Sequence, residues 1–145
     1  MWLSQADADA LLAMEKIEPT QDPTYLPDLG GILSVPLYST DGSEEFKLDV
    51  RRNKIRLTKS SYQTRARSIF VLARLDIAGS PHRNPDGQEI ACPHIHLYRE
   101  GFGDKWAVDA SHMIAACNDN FEVLQWFMTK CNVVQPPNFQ IGLFA

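Results

Sequence analysis

LSVPLYSTDGSEEFKLDVRRNKIRL, residues 33–57, alternates apolar and polar side chains on both sides of an Asp41-Gly42 pair. Asp-Gly between alternating apolar residues is a strong short-range signal for a two-residue β-hairpin. Closing the hairpin at this pair puts the apolar side chains of both strands on one face. The predicted cross-strand pairs are Leu37 with Phe46, Val35 with Leu48, and Leu33 with Val50.

A second turn at Arg52-Asn53 keeps the same apolar face, since it pairs Val50 with Ile55 and Leu48 with Leu57. The agreement of the two turns predicts an antiparallel meander. Pro36, which lacks an N–H, fits an edge strand. The opposite face of the meander is basic and carries Lys47, Arg51, Lys54 and Arg56.

The rest of the chain extends this sheet and adds a helix at each end. Residues 4–16 are predicted as a helix with Ser4 as N-cap, and Asn120–Cys131 as an amphipathic helix. Ser68–Ile77 is almost continuously apolar, which is typical of a central strand covered on both faces. Ile90–Arg99 and Trp106–Val108 are further strands, and 60–67 is either a loop or the start of the next strand. The predicted fold is one α+β domain over residues 1–145, with an antiparallel sheet of five to six strands flanked by an N-terminal and a C-terminal helix.

Composition is that of an ordinary globular chain, with 145 residues, 44% hydrophobic and 22% charged. No stretch approaches the ~18 consecutive apolar residues of a membrane span, and the N-terminus lacks the basic region of a signal peptide. The three cysteines form no CxxC pair, which favours free thiols in a reducing compartment. We therefore expect a cytoplasmic protein that is not bound to a membrane.

The net charge of −4 conceals a basic block between residues 46 and 74, where nine Lys and Arg face one Asp. A basic block in an acidic protein favours an anionic partner. The alternative is that the acidic and basic segments fold against each other and neutralise.

Three of the four histidines lie within fifteen residues, at positions 82, 94 and 96. Because side chains alternate along a strand, His94 and His96 share a face, together with Cys92 and Tyr98. His82 belongs to the loop before this strand, beside Arg83, and a hairpin could return it to the pair. A Cys92–His94 nucleophile pair is disfavoured, because positions i and i+2 are about 7 Å apart on a strand.

One hypothesis for the cluster is metal-free cleavage of RNA. A base takes the proton of a 2′-hydroxyl, an acid protonates the leaving oxygen, and a cation stabilises the charged phosphorane. The predicted catalytic residues are His82, Arg83, His94, His96 and Tyr98. The predicted nucleic-acid-binding residues are Lys47, Arg51, Lys54, Arg56, Arg65, Arg67, Lys105 and Trp106.

Two other hypotheses remain open for the same residues. His82, His94 and His96 could be the ligands of zinc or iron in a small metalloenzyme, whereas the RNA hypothesis needs no cofactor. Alternatively, His94 and His96 are half-exposed strand residues of a non-enzymatic protein, such as an inhibitor or antitoxin-like protein that binds a protein partner.

The run Pro93-His94-Ile95-His96-Leu97-Tyr98-Arg99-Glu100-Gly101-Phe102-Gly103-Asp104-Lys105-Trp106 resembles the signature of an uncharacterised family of small bacterial and phage proteins, as does the stretch 48–67. Pro81-His82 and Pro93-His94-Ile95-His96 are similar to the Pro-His motifs of ribonuclease-like toxins of the TumE type, although the spacing differs. This resemblance implies an RNA endonuclease of toxin–antitoxin or phage-defence type. The implied partners are RNA and a cognate antitoxin or other protein, with a homodimer as a further possibility.

Overall fold

The computed structural model describes residues 2–28, 30–52 and 60–140. Within these residues the helices are α1 (Gln5–Ala13) and α2 (Asn120–Lys130). The strands are β1 (Lys16–Ile17), β2 (Pro23–Tyr25), β3 (Ile32–Ser39), β4 (Glu45–Arg52), β5 (Ser60–Ala66), β6 (Phe70–Asp76), β7 (His82–Arg83), β8 (Glu89–Ile90), β9 (His94–Leu97), β10 (Ala107–Asp109), β11 (Val133–Gln135) and β12 (Asn138–Gln140).

The main sheet has the order β10-β9-β6-β5-β4-β3-β1-β11, which makes eight strands among the described residues. Neighbouring strands are antiparallel except β1 and β11, which are parallel. Two further pairs are separate from it: β2 with β12, and β7 with β8. The predicted α+β class with a helix from each end of the chain is confirmed, and the sheet has more strands than expected because short strands extend both edges.

The first hairpin has the predicted register. Leu37 pairs with Phe46, Val35 with Leu48, and Leu33 with Val50. Gly42 has a φ of 75°, the left-handed conformation that its place in the turn requires. The alternation of the sequence was therefore sufficient to align these two strands.

The second turn was predicted wrongly. β4 pairs with β5, so that Val50 lies opposite Tyr62 and Leu48 opposite Thr64. In β5 every second residue from Ser60 to Ala66 is buried, which gives the strand an inward face that the sequence period did not reveal. Ile55 and Leu57, the partners that the sequence suggested, lie outside the described residues.

The helices cover one face of the sheet. On that face Val50, Tyr62, Leu75 and Ile95 lie side by side on successive strands, and the Tyr62 ring packs 6.2 Å from that of Phe127 in α2. Since side chains alternate along a strand, the residues between them point to the opposite face, which we call the polar face. The prediction that Ser68–Ile77 is covered on both faces is wrong at Arg74 and Asp76, which lie on the polar face beside a cleft.

Both helices begin at a side-chain cap. Ser4 Oγ accepts from the Asp7 N–H, as predicted for the N-cap of α1, and Asp119 accepts from the Glu122 N–H at the start of α2. The helices have 9 and 11 residues. Neither of these two described helices has the length and apolar character needed to cross a membrane.

Candidate active site

Two rows of polar side chains cross the polar face and end at the histidines. The first, the His94 row, places Arg51, Ser61, Asp76 and His94 opposite one another on β4, β5, β6 and β9. The second, the His96 row, consists of Ser34, Asp49, Gln63, Arg74 and His96 on β3, β4, β5, β6 and β9. The register of β6 against β9 therefore brings an aspartate and an arginine to the two histidines.

The three imidazoles converge as the sequence predicted. His82 lies in the β7–β8 hairpin, and its ring centroid is 4.5 Å from that of His96 and 5.9 Å from that of His94. The rings of His94 and His96 are 5.0 Å apart. We call His82, His94 and His96 the histidine cluster. The alternative that His94 and His96 are half-exposed does not match their burial, because they are only 2% and 1% exposed. His82 is half-buried.

Backbone carbonyls fix one nitrogen of each ring. His96 Nδ1 donates to the carbonyl of Asp104 at 2.7 Å, and His82 Nε2 donates to that of Lys105 at 2.7 Å. His94 Nδ1 donates to the carbonyl of Ile90 at 3.1 Å. Since a carbonyl oxygen only accepts, each of these nitrogens carries a hydrogen, and the chemistry of each ring depends on its other nitrogen.

The Nε2 atoms of His94 and His96 both point at one carboxylate. Asp76 Oδ2 lies 3.1 Å from His94 Nε2 and 3.3 Å from His96 Nε2. The Asp76 side chain is 24% exposed, so it is the part of this group that reaches solvent. Both nitrogens of His94 thus face oxygen acceptors, and both contacts are satisfied only if a proton or a metal ion lies between His94 Nε2 and Asp76.

Arg74 joins the carboxylates of the site to His96. Its Nη1 donates to Asp104 Oδ2 at 2.7 Å, and its Nε lies 3.4 Å from Asp76 Oδ1. Its Nη2 lies 3.0 Å from His96 Nε2, where it donates to the lone pair of a neutral imidazole. The guanidinium therefore adds a fixed positive charge beside the histidine cluster.

These neighbours set the charge of Asp76. Burial raises the pKa of the carboxyl group, but its contacts with His96 and His94 and the positive charge of Arg74 lower it by more. The pKa therefore lies below its usual value of 3.8. Asp76 is an anion at neutral pH, and it can hold a proton donor or a metal ion against the imidazoles.

A groove on the polar face reaches Arg74 and Asp76, beside the histidine cluster. One cleft of about 490 Å³ runs beside β3–β6 and includes Arg65, Arg74 and Asp76. A second cleft of about 260 Å³ lies between the start of β5 and the Gly79–Ser80 loop, and Cys92 lines it. Both clefts are lined by Arg51, Ser61 and Asp76. A ligand in either cleft therefore contacts the His94 row.

The structure separates Tyr98 from the cluster. The Tyr98 hydroxyl donates to the Leu3 carbonyl at 2.7 Å and accepts from the Leu3 N–H at 2.8 Å. The side chain is 6% exposed, and it lines a cleft beside α1 on the other side of the sheet. The prediction that Tyr98 shares the face of His94 and His96 is therefore wrong, because the residue follows the end of β9 and packs under the N-terminus.

Trp106 and Lys105 are also placed differently from the prediction. The Trp106 ring stacks under Arg99 at 4.1 Å, contacts Phe102 edge-on, and lines the same cleft beside α1. Trp106 is therefore not available on the polar face for a base to stack on. Lys105 is exposed, and its backbone carbonyl holds His82. Arg83, next to His82, is exposed in β7.

Three of the five predicted nucleic-acid-binding cations that the structure describes have acidic partners. Arg65 binds Asp49 through two nitrogens at 2.6 and 3.0 Å. Arg67 binds Glu44 at 2.8 Å, and Lys47 lies 3.3 Å from Glu45. Pairing between the acidic and basic segments is thus observed for Arg67 and Lys47, whereas Arg65 pairs with the one aspartate of the basic block. Arg51 makes no ion pair within the described residues, whereas Lys54 and Arg56 lie outside them.

The sequence did not identify Asp76, Arg74 and Asp104 as site residues. Arg74 and Asp76 are two charged residues at positions i and i+2 of an otherwise apolar strand, so their shared face was a readable signal. Asp104 had no such signal, since its role depends on a turn. Cys92 Sγ lies 3.5 Å from His94 Nδ1, closer than strand spacing suggested.

Among the described residues, one group of His, Cys, Asp or Glu side chains has the spacing of a metal site. It consists of Asp76, His94 and His96, whose ligand atoms lie within 4.8 Å of one another. This differs from the predicted set, because His82 is replaced by Asp76. The structure therefore offers two imidazoles and one carboxylate that could hold a metal ion.

A family model described as a family of unknown function (DUF6978) matches residues 3–133. The chain belongs to this family. No curated protein and no solved structure matches it. The expected membership of an uncharacterised family is confirmed, while the similarity to TumE-type toxins stays a prediction. Membership of DUF6978 brings no activity with it, so function is argued from the site.

Proposed function

We propose that this chain is an RNA endonuclease that acts through the histidine cluster. The observation that carries the proposal is the convergence of three imidazoles with Asp76 and Arg74, two residues that line a polar groove. Cleavage of RNA next to its 2′-hydroxyl needs a base, an acid and a cation, and this group offers all three.

His82 is the general base in this proposal. Its Nε2 donates to the Lys105 carbonyl, so in the neutral ring Nδ1 carries a lone pair. Of the three rings it is the one that solvent reaches most easily, since His94 and His96 are almost fully buried. Its Nδ1 takes the proton of the 2′-hydroxyl, and the 2′-oxygen then attacks phosphorus.

His94 is the general acid. With Nδ1 bound to the Ile90 carbonyl and Nε2 facing the Asp76 carboxylate, its contacts are satisfied by the doubly protonated ring. It gives a proton to the 5′-oxygen as the bond from that oxygen to phosphorus breaks. The products are a 2′,3′-cyclic phosphate and a free 5′-hydroxyl, and Arg74 stabilises the charged phosphorane between them.

The test uses end-labelled RNA, with EDTA present, and compares the wild type with His82→Asn. We expect cleavage by the wild type to give 2′,3′-cyclic phosphate ends, and His82→Asn to be 10²–10⁴-fold slower, roughly the contribution of a general base. His112→Asn, which changes an exposed histidine outside the cluster, is the matched control. Intact RNA with the wild type, both in EDTA and with added divalent metal, would contradict the proposal.

A toxin or phage-defence role follows as part of the same proposal, because cleavage of cellular RNA stops growth. Expression in bacteria should arrest growth, and His82→Asn should relieve the arrest at equal protein level. Normal growth with the wild type at a level that cleaves RNA in extracts would rule out the toxin role.

A metal centre is the second candidate, and the contacts of His94 and His96 favour it. Each presents Nε2 to Asp76 while its Nδ1 is bound to a backbone carbonyl, the arrangement usual for metal-binding histidines. Two imidazoles and one carboxylate on one side of an ion suit zinc or iron and leave positions open for water and substrate. The candidate is a small metalloenzyme with Asp76, His94 and His96 as ligands.

The two candidates differ in substrate requirement as well as in metal content. A metal ion held by Asp76, His94 and His96 would supply an activated water that needs no help from a 2′-hydroxyl, so such an enzyme would also cut DNA or 2′-O-methyl RNA. The metal-free route requires the 2′-hydroxyl and persists in EDTA. Elemental analysis of the freshly purified protein completes the test, since less than about a tenth of an equivalent of zinc or iron rules out a resident metal of the kind that buried His and Asp ligands hold.

A further inference from the structure

We infer that Arg51 and Ser61 bind a second phosphate of the substrate, so that the chain acts on RNA strands of several nucleotides and not on a dinucleotide. The inference rests on the proposed function and adds to it a defined subsite and a substrate length. Two observations carry it: the guanidinium of Arg51, which has no ion pair among the described residues, and its position in the His94 row.

Of the arginines that line the groove in the described part of the chain, Arg51 is the one without an anionic partner. Arg65 is bound by Asp49 and also donates to the Ser68 carbonyl, and Arg74 is bound by Asp104 and Asp76. Within the described part of the chain, no carboxylate pairs with Arg51, and its side chain is exposed. Its charge is therefore available for a phosphate oxygen.

The position of Arg51 sets the distance between the two phosphates. Arg51 lies opposite Ser61, and Ser61 lies opposite Asp76. Neighbouring strands are about 4.8 Å apart, so the backbones of Arg51 and Asp76 are separated by about 10 Å. His94 lies one strand beyond Asp76, so the backbones of Arg51 and His94 are about 14 Å apart, which leaves room for one phosphate at Arg51 and another at the cluster.

Ser61 completes the subsite. It lies between Arg51 and Asp76 in the row, and it lines both clefts that Arg51 lines. Its hydroxyl is placed to donate to the same anion as the guanidinium. A single-stranded segment that crosses the strands from Arg51 to the histidine cluster follows this row, with its backbone on the sheet. Among the described residues that line the two clefts none is aromatic, so the row is suited to recognise phosphates and not bases.

The experiment measures binding and cleavage separately. Binding of a fluorescein-labelled single-stranded 2′-O-methyl RNA hexamer is followed by anisotropy for the wild type, Arg51→Met, Ser61→Ala and the control Lys130→Met, at an exposed lysine of α2. We expect Arg51→Met to weaken binding about tenfold and to reduce the slope of log affinity against log salt by about one. Ser61→Ala should weaken it less, and Lys130→Met should bind as the wild type does.

Cleavage is then compared for an RNA dinucleotide and an RNA hexamer. We expect the wild type to have a lower KM for the hexamer, and Arg51→Met to lose this preference with kcat unchanged. Equal binding and equal KM for Arg51→Met and the wild type would overturn the inference while cleavage itself stands. RNA binding that needs Arg51 without any cleavage would overturn the proposed function and keep the subsite. If the wild type neither binds nor cleaves RNA, both are overturned.

Discussion

Asp76 lies directly opposite His94 across β6 and β9, and its Oδ2 is 3.1 Å from the His94 Nε2. The same oxygen is 3.3 Å from His96 Nε2, so one carboxylate orients two imidazoles. Both candidate functions depend on this contact, because Asp76 either holds the proton of the general acid or binds a metal ion. Its pKa is depressed, which keeps the carboxylate charged for either role.

Asp76→Asn should therefore lower RNA cleavage by about 10²-fold or more, since the amide cannot hold a protonated His94 in place. The measurement is kcat/KM on the RNA hexamer. Asp22→Asn, at an exposed aspartate far along the chain from the site, should be as active as the wild type. Full activity of Asp76→Asn would remove the carboxylate from the mechanism.

Arg74→Gln should separate the metal candidate from the metal-free one. The guanidinium lies 3.0 Å from His96 Nε2 and repels a dication there. Its removal should therefore tighten zinc binding by about tenfold if Asp76, His94 and His96 are ligands, as measured by competition with a coloured chelator. If the metal-free route is correct, neither the wild type nor Arg74→Gln should bind zinc. Arg74→Gln should then cleave RNA more slowly, because the positive charge of Arg74 is lost. Arg67→Gln is the control for loss of an arginine.

The contacts of Asp49 predict how the stability of the fold changes in acid. Its burial raises the pKa, but hydrogen bonds from Arg65, Ser34 and Gln63 outweigh burial, so the folded pKa lies below 3.8. Stability from this group is fully present above the unfolded pKa of about 3.9 and is lost as the pH falls through the lower folded pKa. Asp49→Asn should unfold at lower temperature at pH 7 and lose less of its melting temperature between pH 5 and pH 2. An equal loss in both proteins would assign the acid sensitivity to other groups.

Local patterns in the sequence were sufficient for the elements whose partners are close along the chain. The Asp41-Gly42 hairpin has the predicted register because turn chemistry and alternation agree there. The pairing of β4 with β5 was not predicted, because the apolar residues at 55 and 57 suggested a partner strand nearer along the chain than Ser60–Ala66. Across the connection between β4 and β5, the pairing depends on which candidate strand buries more apolar surface. The sequence pattern alone does not show how much surface each strand buries.

The candidate site was predictable only in part, for the same reason. His94 and His96 share a face by simple alternation, and His82 comes to them through a hairpin. Asp76 enters through the register of β6 on β9, and Asp104 and Lys105 enter through backbone carbonyls, which every residue has. Tyr98 shows the limit of alternation, because the rule ends where the strand ends.

Lys16 should be the lysine on which the stability of the fold depends most. It is completely buried, and its Nζ donates to the carbonyls of Leu12 in the last turn of α1, of Met14 just after α1 and of Cys131 just after α2, at 2.7–2.8 Å. It therefore satisfies carbonyl groups at the ends of both helices at once. Lys16→Met leaves these carbonyls unpaired and should lower the free energy of unfolding by about 3 kcal/mol, measured by urea denaturation. Lys130→Met, at an exposed lysine of α2, should change it by less than about 1 kcal/mol.

The pH dependence of Lys16 gives a second readout that a packing defect does not mimic. Burial lowers the pKa of Lys16 to about 8 from 10.5, so above pH 8 the unfolded chain binds more protons than the folded one. Stability from this group therefore rises with pH between about 8 and 10.5. Burial raises the pKa of Cys131 to about 11 from 9.0, which lowers stability above pH 9, so the rise due to Lys16 is measured between pH 8 and 9. The wild type should gain stability in that interval and Lys16→Met should not, and an equal change in both proteins would contradict a buried, proton-releasing Lys16.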